Sequence, residues 1–347
     1  MASGDTERAA MGRALRLARN GPRGVNPQVG AVILSPAGDV LAEGWHRGVG
    51  SAHAEVDALS RLPAGGARGA TAVVTLEPCD HTGHTGPCSE ALVEAGVARV
   101  VYAVDDPGAE SGGGAERLRA AGVEVVGGVR RDEGSALLDS WLAVQRLGRP
   151  RVTVKWAQSL DGRVAAADGT STWITGAAAR ADVHRRRALA DAIVAGVGTV
   201  LADDPALTAR SPDGALLPDQ PLPVVLGTRP TPADAAVRRH PREPLFFDGR
   251  DLPAMLTALR ERGAHSVFVE GGPTVASAFV RSGLADEVLA YVAPVLLGGD
   301  RLVTGELGVG SIGDAVRLEL ASVQRLGDDL LVALRHAQGP EPREDNS

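Results

Sequence analysis

The only two cysteines of the 347-residue chain lie close together, in the stretch TLEPCDHTGHTGPC at residues 75–88. Eight residues separate Cys79 from Cys88, and three further side chains of metal-ligand type, Asp80, His81 and His84, lie between them. Thiolates and imidazoles are common ligands of Zn²⁺ in proteins. The two cysteines could therefore form a disulfide, bind a metal ion or be two ordinary buried thiols.

The N-terminal stretch MASGDTERAAMGRALRLARNG argues against a disulfide. It carries charges throughout and lacks the apolar core of about 7–15 residues that a secretory signal contains. Without such a signal we expect a cytoplasmic protein in a reducing environment, where structural disulfides are rare.

An upstream tripeptide, His53-Ala-Glu55, adds the residue types of a catalytic metal site. A His-x-Glu followed by Pro-Cys and a second Cys is the pattern of zinc-dependent base deaminases. We expect His53, Cys79 and Cys88 to bind an ion that lowers the pKa of water from about 15.7 towards 7. Glu55 is the expected proton shuttle, and a helix beginning near Ser51 would put it in the first turn together with the histidine.

The cysteine spacing departs from the usual deaminase signature, in which two residues rather than eight lie between the cysteines. Either half of the pattern could arise by chance. Both halves together, at an expected strand end and an expected helix start, favour a zinc site.

The formal net charge of −7 limits the class of partner. A protein that binds nucleic acid usually has a basic face, and the arginine-rich VHRRRALA at 183–190 is a short, local segment that fits one phosphate. No uncharged apolar run approaches the roughly 18 residues of a membrane span. We expect a small-molecule substrate, no nucleic acid and no membrane partner.

Apolar runs alternate with helix-like stretches in both halves of the chain, which predicts α/β domains with mainly parallel sheets. A Gly-Arg-Pro break at 148–150 separates the halves. We expect domains at 1–148 and 149–336 and a disordered tail at 337–347. The expected strands are 29–35, 72–76, 98–104, 123–126, 152–157, 191–197, 223–227, 266–272 and 287–297; the expected helices are 51–62, 88–96, 114–122, one after 132, 176–189, 252–262 and 273–281.

Two glycine-bearing turns in the second half, GVGT at 196–199 and EGGPT at 270–274, each follow an apolar strand and precede a helix. The free N–H groups at a helix start bind anions, so two such turns fit a pyrophosphate-containing cofactor. Neither completes a G-x-G-x-x-G pattern, and plain tight turns are the alternative. Arg187 and Arg210 offer paired donors for phosphate, unless they are ordinary surface arginines.

The segments GWHRGVGSAHAEVDAL and VTLEPCDHTGHTGPCSEAL closely resemble the deaminase half of the bifunctional riboflavin-biosynthesis deaminase/reductase family, whose cysteines are separated by the same long insert. The resemblance implies a cytidine-deaminase-like three-layer α/β/α domain. The stretch GVNPQVGAVI also resembles the family, which implies that Asn26 contacts the pyrimidine. The same resemblance implies that His46 and His81 face the substrate. The family usually has Lys or Arg at the position of His84, where that side chain would help to hold the substrate's phosphate; a His binds phosphate well only when protonated, below about pH 6.5.

From residue 149 the chain resembles the reductase half of the same family, most specifically over 171–210. This resemblance implies a dihydrofolate-reductase-like α/β domain that uses NADPH. The implied substrate contacts are Ser171, Arg187, Leu207, Arg210 and Glu270. The implied NADPH contacts are Ala157, Trp173, Thr199, Asp203, Thr228 and the loop formed by Gly272, Pro273, Thr274, Val275, Ala276, Ser277 and Ala278.

Three details of the second half remain open at this level. Thr228 lies in VVLGTRP, which departs from the Asp-Ser that the family usually has there. Arg229 is the candidate contact for the 2′-phosphate of NADPH. Lys155, Asp203 and Glu270 are the polar groups that could transfer protons, and the sequence does not choose among them.

The resemblance implies a two-step enzyme with Zn²⁺ and NADPH as cofactors. The first half would hydrolyse the 2-amino group of 2,5-diamino-6-ribosylamino-4(3H)-pyrimidinone 5′-phosphate and release ammonia. The second half would transfer hydride to C1 of the ribose, giving 5-amino-6-(5-phospho-ribitylamino)uracil, and a homo-oligomer is possible. Two alternatives stay open: a nucleic-acid or nucleoside base deaminase with an accessory domain, and an inactive small-molecule-binding relative.

Overall fold

The computed structural model describes residues 2–22, 26–48, 50–81, 86–108 and 111–336, and the chain divides into two compact units, Met1–Arg149 and Pro150–Ser347. The tail expected at 337–347 lies outside the described residues. The helices are α1 (Ala2–Ala18), α2 (Ala54–Leu59), α3 (Cys88–Glu94), α4 (Gly114–Ala120), α5 (Arg131–Leu147), α6 (Ala177–Leu189), α7 (Val197–Asp203), α8 (Leu252–Glu261) and α9 (Pro273–Arg281). The strands are β1 (Gly30–Leu34), β2 (Val40–Trp45), β3 (Thr71–Leu76), β4 (Arg99–Val104), β5 (Glu124–Val126), β6 (Arg151–Ser159), β7 (Ala192–Gly196), β8 (Leu222–Leu226), β9 (Leu245–Phe247), β10 (Ser266–Val269), β11 (Glu287–Ala293), β12 (Leu318–Leu326) and β13 (Asp329–His336).

The sheet of the first unit has the strand order β2-β1-β3-β4-β5 and is mixed. Strand β1 runs antiparallel to both β2 and β3, whereas β3, β4 and β5 run parallel to one another. The expectation of a mainly parallel sheet is therefore wrong for this unit. The short connection from β1 to β2 forms a hairpin, and a parallel pair would need a longer crossover.

Two glycines show that helices cover both faces of this sheet. A Cβ built on Gly30 would lie 2.1 Å from the carbonyl oxygen of Ala14 in α1, and one on Gly44 would lie 2.3 Å from that of Ala54 in α2. Gly44 pairs with Ala31, the neighbour of Gly30, so the two glycines point to opposite faces of the pleated sheet. Helices α1 and α2 therefore pack on opposite faces, and the three-layer α/β/α arrangement is confirmed.

The start of α2 differs from the expected position near Ser51. The helix begins at Ala54, and His53 is its N-cap residue with extended backbone angles (φ −68°, ψ 161°). The reason is a local turn, since the N–H and the hydroxyl of Ser51 both donate to the carbonyl of Gly48. Glu55 lies in the first helical turn as expected, whereas His53 lies just outside it.

The second unit contains an eight-stranded sheet of order β12-β13-β11-β6-β10-β7-β8-β9. Strands β11, β6, β10, β7, β8 and β9 are parallel to their neighbours, and β13 and β12 extend one edge in antiparallel fashion. The predominance of parallel pairs agrees with the strand–helix alternation in the sequence.

Alternate residues of this sheet face different helices. Val152 and Val154 pack in one apolar cluster with residues of α8 and α9, including Leu256 and Phe279. Leu289 and Tyr291 pack in another cluster with Ala179 and Val183 of α6. Because side chains alternate along a strand, Thr153, Lys155 and Ala157 of β6 face the α6 side.

No helix in the described ranges is long and apolar enough to cross a membrane.

Candidate active sites in the two units

Three side chains from separate segments meet in the first unit. His53 precedes α2, Cys79 follows β3, and Cys88 is the first residue of α3. The Nδ1 atom of His53 lies 3.2 Å from Sγ of Cys88 and 3.4 Å from Sγ of Cys79, and the three atoms all lie within 4.8 Å of one another. Both cysteines are buried and neither forms a disulfide. This set of one imidazole and two thiols fits a catalytic zinc ion, which takes three protein ligands and leaves a fourth position open.

The surroundings of the two sulfur atoms favour a thiolate. A hydrogen bond from the Cys88 thiol is the main cause that lowers the pKa of Cys79 to about 4. Burial opposes this shift, and a further hydrogen bond from His53 adds to it. The pKa of Cys88 is raised, first by its hydrogen bond to Cys79 and then by burial. The thiolate is the form that binds a metal ion, and a lowered pKa of Cys79 favours that form.

Glu55 is the second residue of α2 and is only 3% exposed. Burial is the largest cause that raises the pKa of its carboxyl, to about 7, and the neighbouring charge of Cys79 adds to the shift. A carboxyl group with such a pKa can both accept and release a proton near neutral pH, which is what a proton shuttle requires.

Asn26 and His46, two expected substrate contacts, lie next to the metal-ligand cluster. Their Nδ2 and Nε2 atoms are 2.9 Å apart, and Nδ1 of His46 lies 3.1 Å from the carbonyl oxygen of Ala52. Burial lowers the pKa of His46. A neutral ring that donates from Nδ1 and accepts at Nε2 satisfies both contacts. The His46 and His53 rings meet edge-on, with centroids 5.5 Å apart.

The three ligand-type residues between the cysteines differ in their surroundings. Asp80 accepts a hydrogen bond from the Ser89 hydroxyl at 2.6 Å and lies 3.4 Å from Nη1 of Arg117, so its carboxylate already has partners. The Nδ1 atom of His81 is buried and has no hydrogen-bond partner among the described residues. His84 lies in 82–85, outside the described residues.

Glu77 is a residue of this site that sequence reasoning missed. Its buried carboxylate accepts from the backbone N–H groups of Asp106 at 3.1 Å and Ala115 at 2.9 Å. These bonds hold the start of α4 against the Pro78 carbonyl, where a Cβ on Gly114 would approach to 1.8 Å. Glu77 therefore fixes the segment that carries Cys79. An acidic residue at the end of an apolar strand was the only signal in the sequence.

In the second unit, Lys155, Arg187 and Glu270 form one buried ion network. The Glu270 carboxylate accepts from Nε and Nη2 of Arg187 at 2.6 and 2.9 Å, and Nζ of Lys155 lies 3.5 Å away. Burial by itself raises the pKa of Glu270, but the charges of Arg187 and Lys155 outweigh it and hold the pKa at about 2. Glu270 is therefore a carboxylate, without a proton, at neutral pH.

The two glycine-bearing turns lie against each other. The N–H of Gly272 donates to the Thr199 hydroxyl at 3.2 Å, and a Cβ on Gly196 would lie 2.8 Å from the Val275 side chain. The helices that follow, α7 and α9, have glycine at the N-cap and no side-chain cap. In α9 Pro273 has no N–H and the N–H groups of Val275 and Ala276 donate to the Gly272 carbonyl, so only the N–H of Thr274 can bind an anion at this helix start. Glycine-bearing starts of two adjacent helices still fit the phosphates of a dinucleotide cofactor.

The remaining expected cofactor and substrate contacts differ in exposure. Trp173 is 73% exposed, and the Arg180 guanidinium lies 4.7 Å from the ring centroid. Leu207 is buried and has a positive φ of 54°. Ala276 and Ser277 are also buried. The other residues are exposed (Asp203, Thr228, Thr274) or half-buried (Ala157, Ser171, Arg210, Gly272, Pro273, Val275, Ala278).

Arg229, the candidate for the 2′-phosphate, lies at the start of α7. A Cβ built on Gly198 would be 3.1 Å from Nη2 of Arg229, so the guanidinium lies over the first helical turn beside Thr199. The arginine is exposed. This is a position from which it can reach a phosphate bound at the turn.

The fold and the two sites define a class of two-unit proteins. The first unit is cytidine-deaminase-like and has a metal site, and the second is dihydrofolate-reductase-like and has a site that fits a nucleotide cofactor. Comparison with known proteins identifies the family. Residues 5–104 match the cytidine and deoxycytidylate deaminase zinc-binding region, and residues 150–332 match the RibD C-terminal domain. The chain belongs to the RibD family.

Relatives and solved structures match the chain over most of its length. The chain is 52% identical to the riboflavin biosynthesis protein RibD of Mycobacterium tuberculosis, over 89% of this chain and 90% of that protein. It is 39% identical to RibD of Escherichia coli, over 93% and 98%. Acinetobacter baumannii RibD superposes with a TM-score of 0.84 at 36% identity, over 96% and 100% of the two chains. The diaminohydroxyphosphoribosylaminopyrimidine deaminase/5-amino-6-(5-phosphoribosylamino)uracil reductase of Thermotoga maritima gives 0.78 at 33%, also over 96% and 100%.

The metal-ligand cluster predicts the metal content of the protein. Wild type should contain about one zinc per chain, and Cys88→Ser should lose most of it, because a hydroxyl is a far poorer zinc ligand than a thiolate. Elemental analysis of the purified full chain measures this. Ala95→Ser, just beyond the C-terminal end of α3, is the control and should keep its zinc. Unchanged zinc in Cys88→Ser would show that the cluster is not the metal site.

Proposed function

We propose that this chain is a bifunctional enzyme of riboflavin biosynthesis that uses Zn²⁺ in residues 1–148 and NADPH in residues 149–336. The first unit hydrolyses the 2-amino group of 2,5-diamino-6-ribosylamino-4(3H)-pyrimidinone 5′-phosphate. The second reduces the ribosyl group of the product to ribityl, giving 5-amino-6-(5-phospho-ribitylamino)uracil. The observation that carries the proposal is the contact between His53, Cys79 and Cys88 beside the buried Glu55, in a chain that belongs to the RibD family.

In the deamination step, the residues around the metal position bind and orient the substrate and move protons. Zinc held by His53, Cys79 and Cys88 would supply a Lewis acid for the attacking water. The Glu55 carboxylate accepts a proton from the attacking water and gives it to the amino group that leaves as ammonia.

The substrate's pyrimidine is held by side chains beside the metal ligands. The Oδ1 atom of Asn26 has no hydrogen-bond partner among the described residues, and neither has Nδ1 of His81. Both atoms can therefore hydrogen-bond the pyrimidine edge, while His46 keeps the Asn26 amide in one orientation. We also propose that His84 lies near the substrate's phosphate, as the family pattern implies.

Glu55→Gln should separate metal binding from proton transfer. Loss of the carboxylate should lower the rate of ammonia release by about 10²–10⁴, because positioned proton transfer contributes about that much. Zinc content should stay at the wild-type value, since Glu55 is not one of the three ligands. The exposed Glu94→Gln in α3 is the matched control. Ammonia release at the wild-type rate in Glu55→Gln would contradict the assigned role.

In the reduction step, NADPH supplies the hydride that C1 of the ribose accepts. The protein's part is to bind both reactants and to provide a proton. Of the three candidate groups, Glu270 is ionised and Asp203 is exposed at the end of α7. The Lys155 side chain offers N–H donors, and its Nζ lies 3.5 Å from a Glu270 carboxylate oxygen. We assign proton donation to Lys155 and its orientation to Glu270.

Two substitutions at Lys155 distinguish a proton donor from a simple positive charge. Lys155→Met and Lys155→Arg should both lower NADPH oxidation by about 10²–10⁴, because arginine keeps the charge but does not release its proton. Ammonia release by the first unit serves as an internal control and should not change. Recovery of most of the activity in Lys155→Arg would mean that Lys155 acts through its charge alone.

Arg229 should set the preference for NADPH over NADH. Arg229→Gln is expected to raise KM for NADPH by about 10-fold or more, since a charged hydrogen bond to phosphate contributes about 1.5–3 kcal/mol. KM for NADH, which lacks the 2′-phosphate, should stay the same. The exposed Arg250→Gln is the matched control. An equal change of KM for both cofactors would exclude contact with the 2′-phosphate.

We further propose that the enzyme is cytoplasmic, binds neither nucleic acid nor membranes, and can form homo-oligomers. The net charge of −7 supports the exclusion of nucleic acid. Tight binding to single-stranded DNA or tRNA would favour the alternative of a nucleic-acid deaminase. Full zinc and NADPH occupancy without turnover would favour an inactive small-molecule-binding relative.

A further inference from the structure

One face of helix α6 carries three polar side chains that each touch a different part of the second unit's site. Arg180, His184 and Arg187 are spaced by four and three residues, so they lie in a row along the helix. Arg180 contacts the Trp173 ring, and Arg187 is bound to Glu270. His184, which lies between them, has no role in the function described above.

His184 is bonded to the backbone of an expected substrate ligand. Its Nδ1 atom accepts a hydrogen bond from the backbone N–H of Arg210 at 3.3 Å. A ring nitrogen accepts only when it carries no proton. Burial, followed by the charge of Arg187, lowers the pKa of His184, which keeps the ring neutral near neutral pH.

The segment that contains Arg210 is held from two sides. Gln220 accepts from the N–H of Ala209 at 2.9 Å and donates to the carbonyl of the same residue at 2.8 Å. On the α6 side, Nη1 of Arg187 donates to the carbonyl of Thr208 at 2.9 Å. The bond to His184 extends this α6 contact to the backbone of Arg210 itself.

The two arginines differ in how many donors they have left for a ligand. Arg187 uses Nε, Nη1 and Nη2 on Glu270 and Thr208. Arg210 uses Nε on the Thr208 hydroxyl at 3.0 Å and Nη1 on the Gly214 carbonyl at 2.7 Å. Its Nη2 atom has no acceptor within the part of the chain that the structure describes. Arg210 is thus the arginine with a complete NH₂ group free for an anion.

We propose that His184 is a positioning residue for the substrate's phosphate, holding the backbone of Arg210 so that its free Nη2 group meets that phosphate. This inference rests on the proposed function, in which Arg210 binds the phosphorylated substrate of the reductase. His184 does not touch the substrate. It acts through Arg210, and its ring is needed as a hydrogen-bond acceptor rather than as a charge.

The test compares His184→Leu with His184→Asn in the full-length enzyme. Leucine has no acceptor, whereas the Oδ1 atom of asparagine can replace Nδ1. Reduction of the deaminated intermediate is followed with and without its 5′-phosphate. In His184→Leu, KM for the phosphorylated compound should rise about 3- to 10-fold, the usual effect of one lost hydrogen bond, with kcat nearly unchanged. KM for the dephosphorylated compound should not change, and His184→Asn should restore most of the affinity.

Controls separate this role from a general effect on folding. Ala181→Leu places the same side chain at an exposed position of α6 and should behave as wild type. Circular dichroism and the KM for NADPH should be the same in all variants. An equal rise of KM for both substrates in His184→Leu, or failure of His184→Asn to restore affinity in a folded protein, would overturn the proposal.

Arg210→Ala distinguishes this inference from the proposed function on which it rests. If Arg210 binds the phosphate, Arg210→Ala should raise KM only for the phosphorylated compound, weaken competitive inhibition by inorganic phosphate, and make a further His184→Leu change silent. No phosphate-dependent effect of Arg210→Ala would overturn the phosphate assignment together with this proposal. A phosphate-dependent effect of Arg210→Ala with none from His184→Leu would overturn the role of His184 alone.

Discussion

Both candidate sites depend on negative charge that is buried and compensated by neighbouring groups. An isolated carboxylate or thiolate inside a protein is strongly unfavourable unless it is paired. In the second unit Glu270 stays ionised because Arg187 and Lys155 flank it. In the first unit hydrogen bonds from Cys88 and His53 hold the negative charge on Cys79. The charged groups of each site therefore stabilise one another. Removal of one group leaves a buried charge on its neighbour without a partner.

The order of the strands brings these groups together. In the second unit β10, β7 and β8 are adjacent and parallel, so their carboxyl ends lie at one edge of the sheet. The turn at 270–274 follows β10, the turn at 196–199 follows β7, and residues 227–229 follow β8. An open parallel sheet binds its ligands at this edge. The cofactor contacts expected from three distant segments are neighbours for that reason.

Most of the strands that were predicted well have uniform burial, although the short edge strand β5 was also predicted. Strands β1, β3, β4, β7 and β8 are buried along almost their whole length and appear in the sequence as continuous apolar runs. Strand β12 is largely exposed, β2 is exposed at its first two residues, β9 has three residues, and β13 pairs with β12 at the sheet edge; all four were missed. Exposed and edge strands have no clear apolar pattern, because only part of their surface faces the core. Such strands form because they pair with neighbouring strands, and the local sequence does not show this pairing.

For the site, the sequence alone determined the residue types: the His-Cys-Cys set, the adjacent Glu55, the glycine turns and the family, which the comparisons confirm. The tertiary structure decided how each side chain is used. It ties Arg187 to Glu270, leaves Nη2 of Arg210 without an acceptor among the described residues, gives Asp80 partners elsewhere, and brings Glu77 and His184 into supporting positions. The physical reason is that hydrogen-bond partners and burial depend on residues far apart in the chain. Spacing along the sequence supplies the donors and acceptors, and only folding determines which of them are already satisfied.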